Sequence, residues 1–209
     1  MLIQQDKTSR RGPSGPRLVC LYPTSTEIIT LEQVTPPPDE SSVMTTRTIF
    51  YTSDIYDAAE NEVASLDLQL ESLGAHRQFH GRIRTVSCLH DNGLVKAIAN
   101  EPGNNQVLVV DGGGSLHSAL MGGNIAQAFA DNGWAGVIIH GAVRDRHEIN
   151  ELALGVKALG SNPRKSAKDG VGVRDTPVTI HNVEFIPGAM VYADEDGVIV
   201  DARDIQQIS

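Results

Sequence analysis

Two apolar runs without a polar break, Val107–Val110 and the first part of Val137–His140, stand out along the chain. Runs of this kind belong to strands covered on both faces. Between them, His117–Asp131 carries apolar residues on two helical stripes. Leu116, Ala119, Leu120, Gly123, Ala126 and Ala130 form one, and Met121, Ile125, Ala128 and Phe129 the other. The spacing predicts a helix apolar all round, ended by Asn132-Gly133. Its second apolar side fits either a subunit interface or burial within one subunit. Thr52 or Ser53 caps a helix running through Ala58, Arg82–Leu89 alternates as a strand, and Asn92–Asn100 reads as a helix. Four short strands follow at Val178–Ile180, Val183–Ile186, Met190–Tyr192 and Val198–Val200. They are separated by the turn signals His181-Asn182, Pro187-Gly188 and Asp196-Gly197. One parallel strand–helix–strand unit beside a strand meander predicts an α/β domain with mixed sheets.

The first 43 residues lack this periodicity. They hold Pro13, Pro16, Pro23, Pro36, Pro37 and Pro38, more than half of the 10 prolines in the chain. Lys7, Arg10, Arg11 and Arg17 make the beginning basic, and no apolar stretch of signal-peptide length follows them. Leu18–Tyr22 and Ile28–Leu31 are too short to fold alone. Residues 1–43 are therefore expected to be a disordered or loosely attached leader, with residues 44–209 forming one domain.

Composition narrows the function classes. With 17 Lys+Arg against 26 Asp+Glu, the 209 residues carry a net charge of −9. That balance disfavours direct binding to a nucleic-acid backbone, which needs a basic face. Cys20 and Cys88 are too few for a disulfide scaffold or a thiolate zinc site and fit a reducing, cytoplasmic setting. No apolar run approaches the ~20 residues that span a bilayer, so no membrane association is expected.

The residues that promise chemistry lie between Asp111 and Asp145. The first buried strand leads into Asp111-Gly112-Gly113-Gly114-Ser115 and the second into Gly141-Ala142-Val143-Arg144-Asp145. A right-handed crossover makes the two strands parallel, so both segments are expected at one sheet edge, where open α/β sheets bind ligands. The triple glycine and the following helix start offer backbone N–H groups to a carboxylate. Arg144 adds a planar fork for the same group, and Asp145 a hard oxygen suited to Mg²⁺ or Mn²⁺. The spacing matches neither G-x-G-x-x-G nor a Walker loop.

Several ordered blocks together resemble the RraA-like family. They are Val109–Ser115, Ala119–Gly122, Gly133–Gly136, Gly141–Asp145, Asn162–Ser166, Pro187-Gly188 and Tyr192–Gly197. That family includes the regulator of ribonuclease activity A and the class II 4-hydroxy-4-methyl-2-oxoglutarate aldolases. The resemblance implies a swivelling β/β/α domain, a homotrimer, a divalent metal and release of pyruvate from 4-hydroxy-4-methyl-2-oxoglutarate, with oxaloacetate decarboxylase activity. It places the substrate loop on Gly122, Gly123, Asn124 and Ile125, the substrate arginine on Arg144 and the metal aspartate on Asp145. Active aldolases of the family carry Asp or Glu where this chain has Gly123, with Asn124 beside it. The acid that positions metal-bound water is thus expected to be missing, and decarboxylation to outlast aldol cleavage. The alternative function is that of a non-catalytic regulator that binds and inhibits ribonuclease E, for which the acidic surface is suited.

The remaining candidates have plainer explanations. His76 and His80 have the i,i+4 spacing of zinc ligands, but Gly74 and Gly81 beside them suggest a loop. His117 reads as a helix-start histidine, and Asp194-Glu195-Asp196-Gly197 as a turn. Trp134 and Cys88 are expected in the core. Pro163-Arg164-Lys165-Ser166 is a basic loop able to meet the far carboxylate of a diacid.

Overall fold

The strands with unbroken apolar runs are covered on both sides, and their residues alternate between two cores. The computed structural model describes residues 49–59 and 62–203. The expectations for the leader, including its short apolar pieces, its proline joint and Cys20, lie outside the described residues. Strands β1 (Ala64–Ser65), β2 (Glu71–Leu73) and β3 (Phe79–Ser87) follow helix α1 (Thr52–Ala59). Then α2 (Gly93–Ala99), β4 (Val107–Met121), α3 (Gly123–Asp131), β5 (Gly136–Val143), α4 (Arg146–Glu151) and β6 (Gly155–Ser161) alternate. Five short strands close the described chain: β7 (Val173–Arg174), β8 (Val178–Ile180), β9 (Val183–Phe185), β10 (Met190–Ala193) and β11 (Val198–Asp201).

The main sheet runs β1-β11-β10-β3-β4-β5-β6-β2, with β7 also on β3, while β8 and β9 form a separate hairpin. β3–β4, β4–β5 and β5–β6 are parallel and the other pairs antiparallel. The expected strand–helix–strand unit is present and is repeated on both sides, with α2, α3 and α4 each connecting neighbouring parallel strands. β3 changes partners midway, pairing β10 through Phe79–Arg82 and β4 through Ile83–Ser87. That switch gives three layers. Leu108, Val110, Val137 and Ile139 face α2 and α3, in a core with Val95, Ile98, Ala126 and Phe129. Val107, Val109 and Ile138 face the meander, against Phe185, Val191, Ala193 and Val198. The fold is mixed α/β, as the hydrophobic pattern predicts.

One element departs from its expected form. The stretch from His117 to Met121 belongs to β4, and the helix begins only at Gly123. The Asp111–Ser115 glycines are accordingly not the loop before the helix. They are an irregularity within the strand, with Gly113 and Gly114 at φ 64° and 68°. Register shifts between Asp111 and Met121 fit this long segment onto His140–Val143 of β5. The physical reason lies in a distant segment. The Ala119 N–H donates to Arg164 O at 2.8 Å, and Ala119 forms a parallel bridge with Lys165. Backbone groups that a helix would use internally are thus taken by a distant segment of the same chain, and Ala119, Leu120 and Met121 are buried consecutively, as in a strand covered on both faces. Of the predicted helix, Gly123–Asp131 remains. Its nine residues are too few to persist alone in water. Phe129 secures it, fully buried and edge-on to Trp134 at 5.3 Å. Asn132 and Gly133 (φ 73°) end it as expected. Among the described residues no helix is long and apolar enough to cross a membrane.

Candidate functional site

Parallel pairing brings the ends of β4 and β5 side by side, with Met121 opposite Val143. The next residues on each strand build the site. Gly122 caps α3 in extended conformation, and the Arg144 N–H donates to Met121 O at 2.9 Å. Asp145 adopts a left-handed conformation (φ 58°, ψ 41°) at the N-cap of α4 but makes no side-chain cap there. A non-glycine residue in this region is uncommon and marks a position held by its surroundings. The turn directs its carboxylate to the other helix: Asp145 Oδ2 accepts the Gly123 N–H at 3.1 Å and lies 3.4 Å from Arg144 Nε. The Asp145 charge therefore sits at the positive end of the α3 dipole.

Gly122 and Gly123 leave room for neighbouring side chains, and any Cβ there would displace them. A Cβ on Gly122 would lie 2.5 Å from Asp145 Oδ2 and 3.0 Å from Arg144 Nε. A Cβ on Gly123 would overlap Glu148 Oε2. Two successive glycines thus receive two carboxylates and a guanidinium. The family resemblance implies a site without a second acid. In the structure Glu148, three residues after Asp145 and one turn along α4, fills the place that the absent side chain of Gly123 leaves open. It is the third residue of α4, three positions after the N-cap Asp145. Recognising the short helix α4 in the sequence would have revealed it.

A cleft of about 230 Å³ opens here. Gly122, Asn124, Ile125, Arg144 and Asp145, all expected at the site, line it together with Asn92, Lys96, Lys165, Ser166 and Lys168. Gly123, the other expected residue, contacts Asp145 through its N–H. Four cationic side chains against one carboxylate make the cleft locally positive in a chain of net charge −9. Lys96 and Lys168 carry no motif signal, and the fold alone brings them here. Of the basic loop, Lys165 and Ser166 line the cleft. Arg164 instead donates to the His117 ring at 2.8 Å, so His117 is a strand residue and not a helix start.

The wall bearing the lysines is tied to α2 by Asp91. Its carboxylate accepts the N–H groups of Gly93 (2.8 Å), Asp169 (2.7 Å) and Gly170 (3.1 Å). Burial opposes the Asp91 charge, but these backbone donors outweigh it and hold the carboxyl below its usual range.

Among the described residues no group of three or more His, Cys, Asp or Glu is arranged to hold a metal. A preformed zinc cage is therefore not what the cleft offers, and His80 instead stacks on Tyr192 at 5.7 Å in β3. The donor set fits Mg²⁺ or Mn²⁺ better. Such ions take one or two carboxylates and complete their shell with water and ligand oxygens. Asp145 supplies one hard oxygen donor, and Glu148 follows on α4 against Gly123.

The other expected features lie elsewhere. A larger recess of about 640 Å³, lined by Tyr51, Arg77, Gln78 and Asp194–Asp196, contains none of the predicted site residues. Asp194 serves the fold there, since its carboxylate accepts the N–H and hydroxyl of Thr52 at 2.6 and 2.7 Å and so fixes the start of α1. It also accepts the Asp196 N–H at 3.0 Å, as the turn assignment expects. Cys88 is buried, and burial pushes its thiol up to about 12, far from a reactive thiolate. Trp134 is in the core.

Comparison with known proteins agrees with this architecture. The family model described as RraA-like, Aldolase/RraA, matches residues 52–200. A crystal structure of S-adenosylmethionine:2-dimethylmenaquinone methyltransferase from Geobacillus kaustophilus is 43% identical, covering 76% of this chain and 98% of that one, with a TM-score of 0.71. The RNA-processing inhibitor RraA from Thermus thermophilis is 44% identical over 73% of this chain and 93% of its own, also with a TM-score of 0.71. An unusual RraA-family RNase ES inhibitor from Streptomyces coelicolor is 25% identical over 75% and 80%, with a TM-score of 0.59. Because the family match spans residues 52–200, well over half of the chain, the chain belongs to the RraA-like family.

Proposed function

We propose that this protein is a divalent-metal-dependent carbon–carbon lyase acting on 2-oxo diacids. It would cleave 4-hydroxy-4-methyl-2-oxoglutarate and decarboxylate oxaloacetate, releasing pyruvate from both. One observation carries this reading: Arg144, Asp145 and the N-terminus of α3 converge on a small cleft to which Lys96, Lys165 and Lys168 add further positive charge. A doubly negative ligand suits that field. The volume of about 230 Å³ lies below the ~300–1,000 Å³ of pockets for drug-sized ligands, and so fits a small diacid better than a nucleoside-bearing methyl donor.

In the proposed reaction, the first turn of α3 and the Arg144 guanidinium hold the carboxylate next to the 2-oxo group. Arg144 also stabilises the negative charge that grows on the 2-oxo oxygen as the C–C bond breaks. A magnesium or manganese ion held by Asp145 would supply Lewis-acid polarisation of that oxygen. The lysines hold the far carboxylate. Glu148 Oε2 accepts the hydroxyl proton in aldol cleavage. Decarboxylation requires no base at that step, because CO₂ departs leaving its bonding electrons to the 2-oxo group. The pyruvate enolate left by either reaction then takes a proton at carbon, from the protonated Glu148 after aldol cleavage and from solvent after decarboxylation. With Glu148 beside the cleft, aldol cleavage is expected alongside decarboxylation. The test is pyruvate release from oxaloacetate as Mg²⁺ or Mn²⁺ is titrated in. Activity should rise with metal and vanish with chelator and in Asp145→Ala; rates at the uncatalysed background throughout would end the proposal.

Two similar solved proteins favour a second reading. The Thermus and Streptomyces relatives are described as inhibitors of RNA processing and of an RNase. In that reading the acidic surface docks on ribonuclease E and no metal chemistry is required, so Asp145→Ala leaves inhibition intact while abolishing lyase activity. Assembly as a homotrimer belongs to both readings. It is supported by the large apolar side chains Leu89, Leu116, Val171 and Val173, which a single subunit leaves exposed.

A further inference from the structure

Strand β6 carries a buried lysine that the proposed reaction does not use. Val156 and Ala158 turn toward the helices, whereas Lys157 between them is in register with Ile138 and faces the meander with it. Lys157 is 2% exposed, a degree of burial that lysines almost never reach without a partner. Yet among the described residues it makes no ion pair and no hydrogen bond. Its Nζ is nonetheless within reach of water. Among the described residues the one unpaired side-chain N or O atom sealed from solvent is Asn92 Oδ1, so the unpaired Lys157 amine is not sealed. It opens toward the recess of about 640 Å³. The charges acting on the amine are those of Asp194, Glu195, Asp196 and Arg77, and all four residues line that recess. Arg77 follows β2, whose Ser72 is the antiparallel partner of Lys157.

An amine in this position gives up its proton easily. Burial holds Lys157 below the ordinary lysine range, against the carboxylates of Asp194, Glu195 and Asp196, which act to raise it. A neutral lysine amine is a nucleophile toward carbonyl carbon. We propose that Lys157 is a covalent capture site for a small, uncharged aldehyde that enters the recess. The volume lies within the ~300–1,000 Å³ of small-molecule pockets. An aldehyde carbon carries a single substituent, which suits an amine open only at its tip. Three carboxylates against Arg77 disfavour an anionic carbonyl compound, which the lysine-rich cleft attracts instead. The inference does not rest on the lyase reading. In the capture step the Nζ lone pair bonds to the carbonyl carbon, the C=O π electrons move to oxygen, and an amine proton follows them. The resulting hydroxyl leaves as water on receiving a proton relayed through Glu195 or Asp196, and the nitrogen lone pair closes the C=N bond. The iminium proton returns to the carboxylate, so one aldehyde is consumed and one water released.

The test treats the full chain at neutral pH with limiting acetaldehyde and cyanoborohydride, which reduces each imine to a stable alkylamine. Peptide mass spectrometry then places the label. Lys157 should carry severalfold more of it than Lys96, Lys165 or Lys168, although it is the most buried of the four. Glyoxylate, an anionic aldehyde, should reverse that order in favour of the cleft lysines. Lys157→Met should remove the preferred label and leave labelling of the other three as in the wild type, which also reports that the variant is folded. Unfolding the wild type in urea before labelling should level the four sites. Label spread by exposure in the folded protein would overturn the inference. So would an unmodified Lys157, or glyoxylate labelling Lys157 as strongly as acetaldehyde does.

Discussion

Glu148 shows how much a missing side chain can matter. The overlap that a Cβ on Gly123 would make with Glu148 Oε2 means that position 123 cannot hold an acid while Glu148 stays where it is. The carboxylate that lies against Gly123 in this chain comes from α4. If Glu148 takes the hydroxyl proton, Glu148→Gln keeps its shape and removes its basicity. Turnover of 4-hydroxy-4-methyl-2-oxoglutarate should then fall by roughly 10²–10⁴-fold, the usual worth of general acid–base help, with KM little changed. Oxaloacetate decarboxylation should fall far less. Steady-state kinetics on the two substrates checks this, and equal losses would assign Glu148 to metal or structure and not to proton transfer. Asp145 and Arg144 act together in the same small space. The open face of Gly122 lets both side chains lie against the backbone, where any Cβ would push them apart.

The elements that place these side chains differ in how firmly they are held. β4 and β5 are anchored by fully buried Val110, Ile139 and Val143. The lysine-bearing segment forms no helix or named strand around Lys168; Ala167 pairs through its backbone with His90 and Asn92, and the Asp91 carboxylate holds the Asp169 and Gly170 N–H groups beyond it. Asp91 is 4% exposed, and replacing it by Ala would leave the Asp169 and Gly170 N–H groups without their acceptor. Asp91→Ala should lower stability by about 1.5–3 kcal/mol, the range for hydrogen bonds to a charged group. Its folded pKa is held below the unfolded value, so its contribution is complete above the ordinary aspartate range near ~3.9 and is lost as pH falls through the folded value. Hydrogen exchange of the peptide spanning 167–171 should accelerate in Asp91→Ala at neutral pH, and in the wild type only in acid below about pH 4. Uniform protection across both conditions would show that the segment is held by other contacts.

If the chain assembles as the proposed homotrimer, its mass in solution should be three times the 22.4 kDa of the chain. Light scattering behind gel filtration measures this, and a monomeric mass would leave the exposed apolar residues Leu89, Leu116, Val171 and Val173 to another partner. Much of the architecture was legible in the hydrophobic pattern. The runs Val107–Val110 and Val137–Ile139 and the alternation of the late strands are local consequences of which faces must be covered, and they appear where expected. So were Arg144 and Asp145 at the end of β5, because parallel pairing follows from the short crossover between the two strands. The start of α3 was not legible. Leu116, Ala119 and Leu120 have helical spacing, and only the distant strand-like segment at Arg164 and Lys165 takes up the backbone groups that would have closed that helix. Asn92, Lys96 and Lys168 escaped notice for the same reason. The chain's own local preferences specified its strands and the pair of residues at one strand end. Which lysines, which amide and which acid join that pair depended on contacts between segments far apart in sequence, and periodicity carries no information about those.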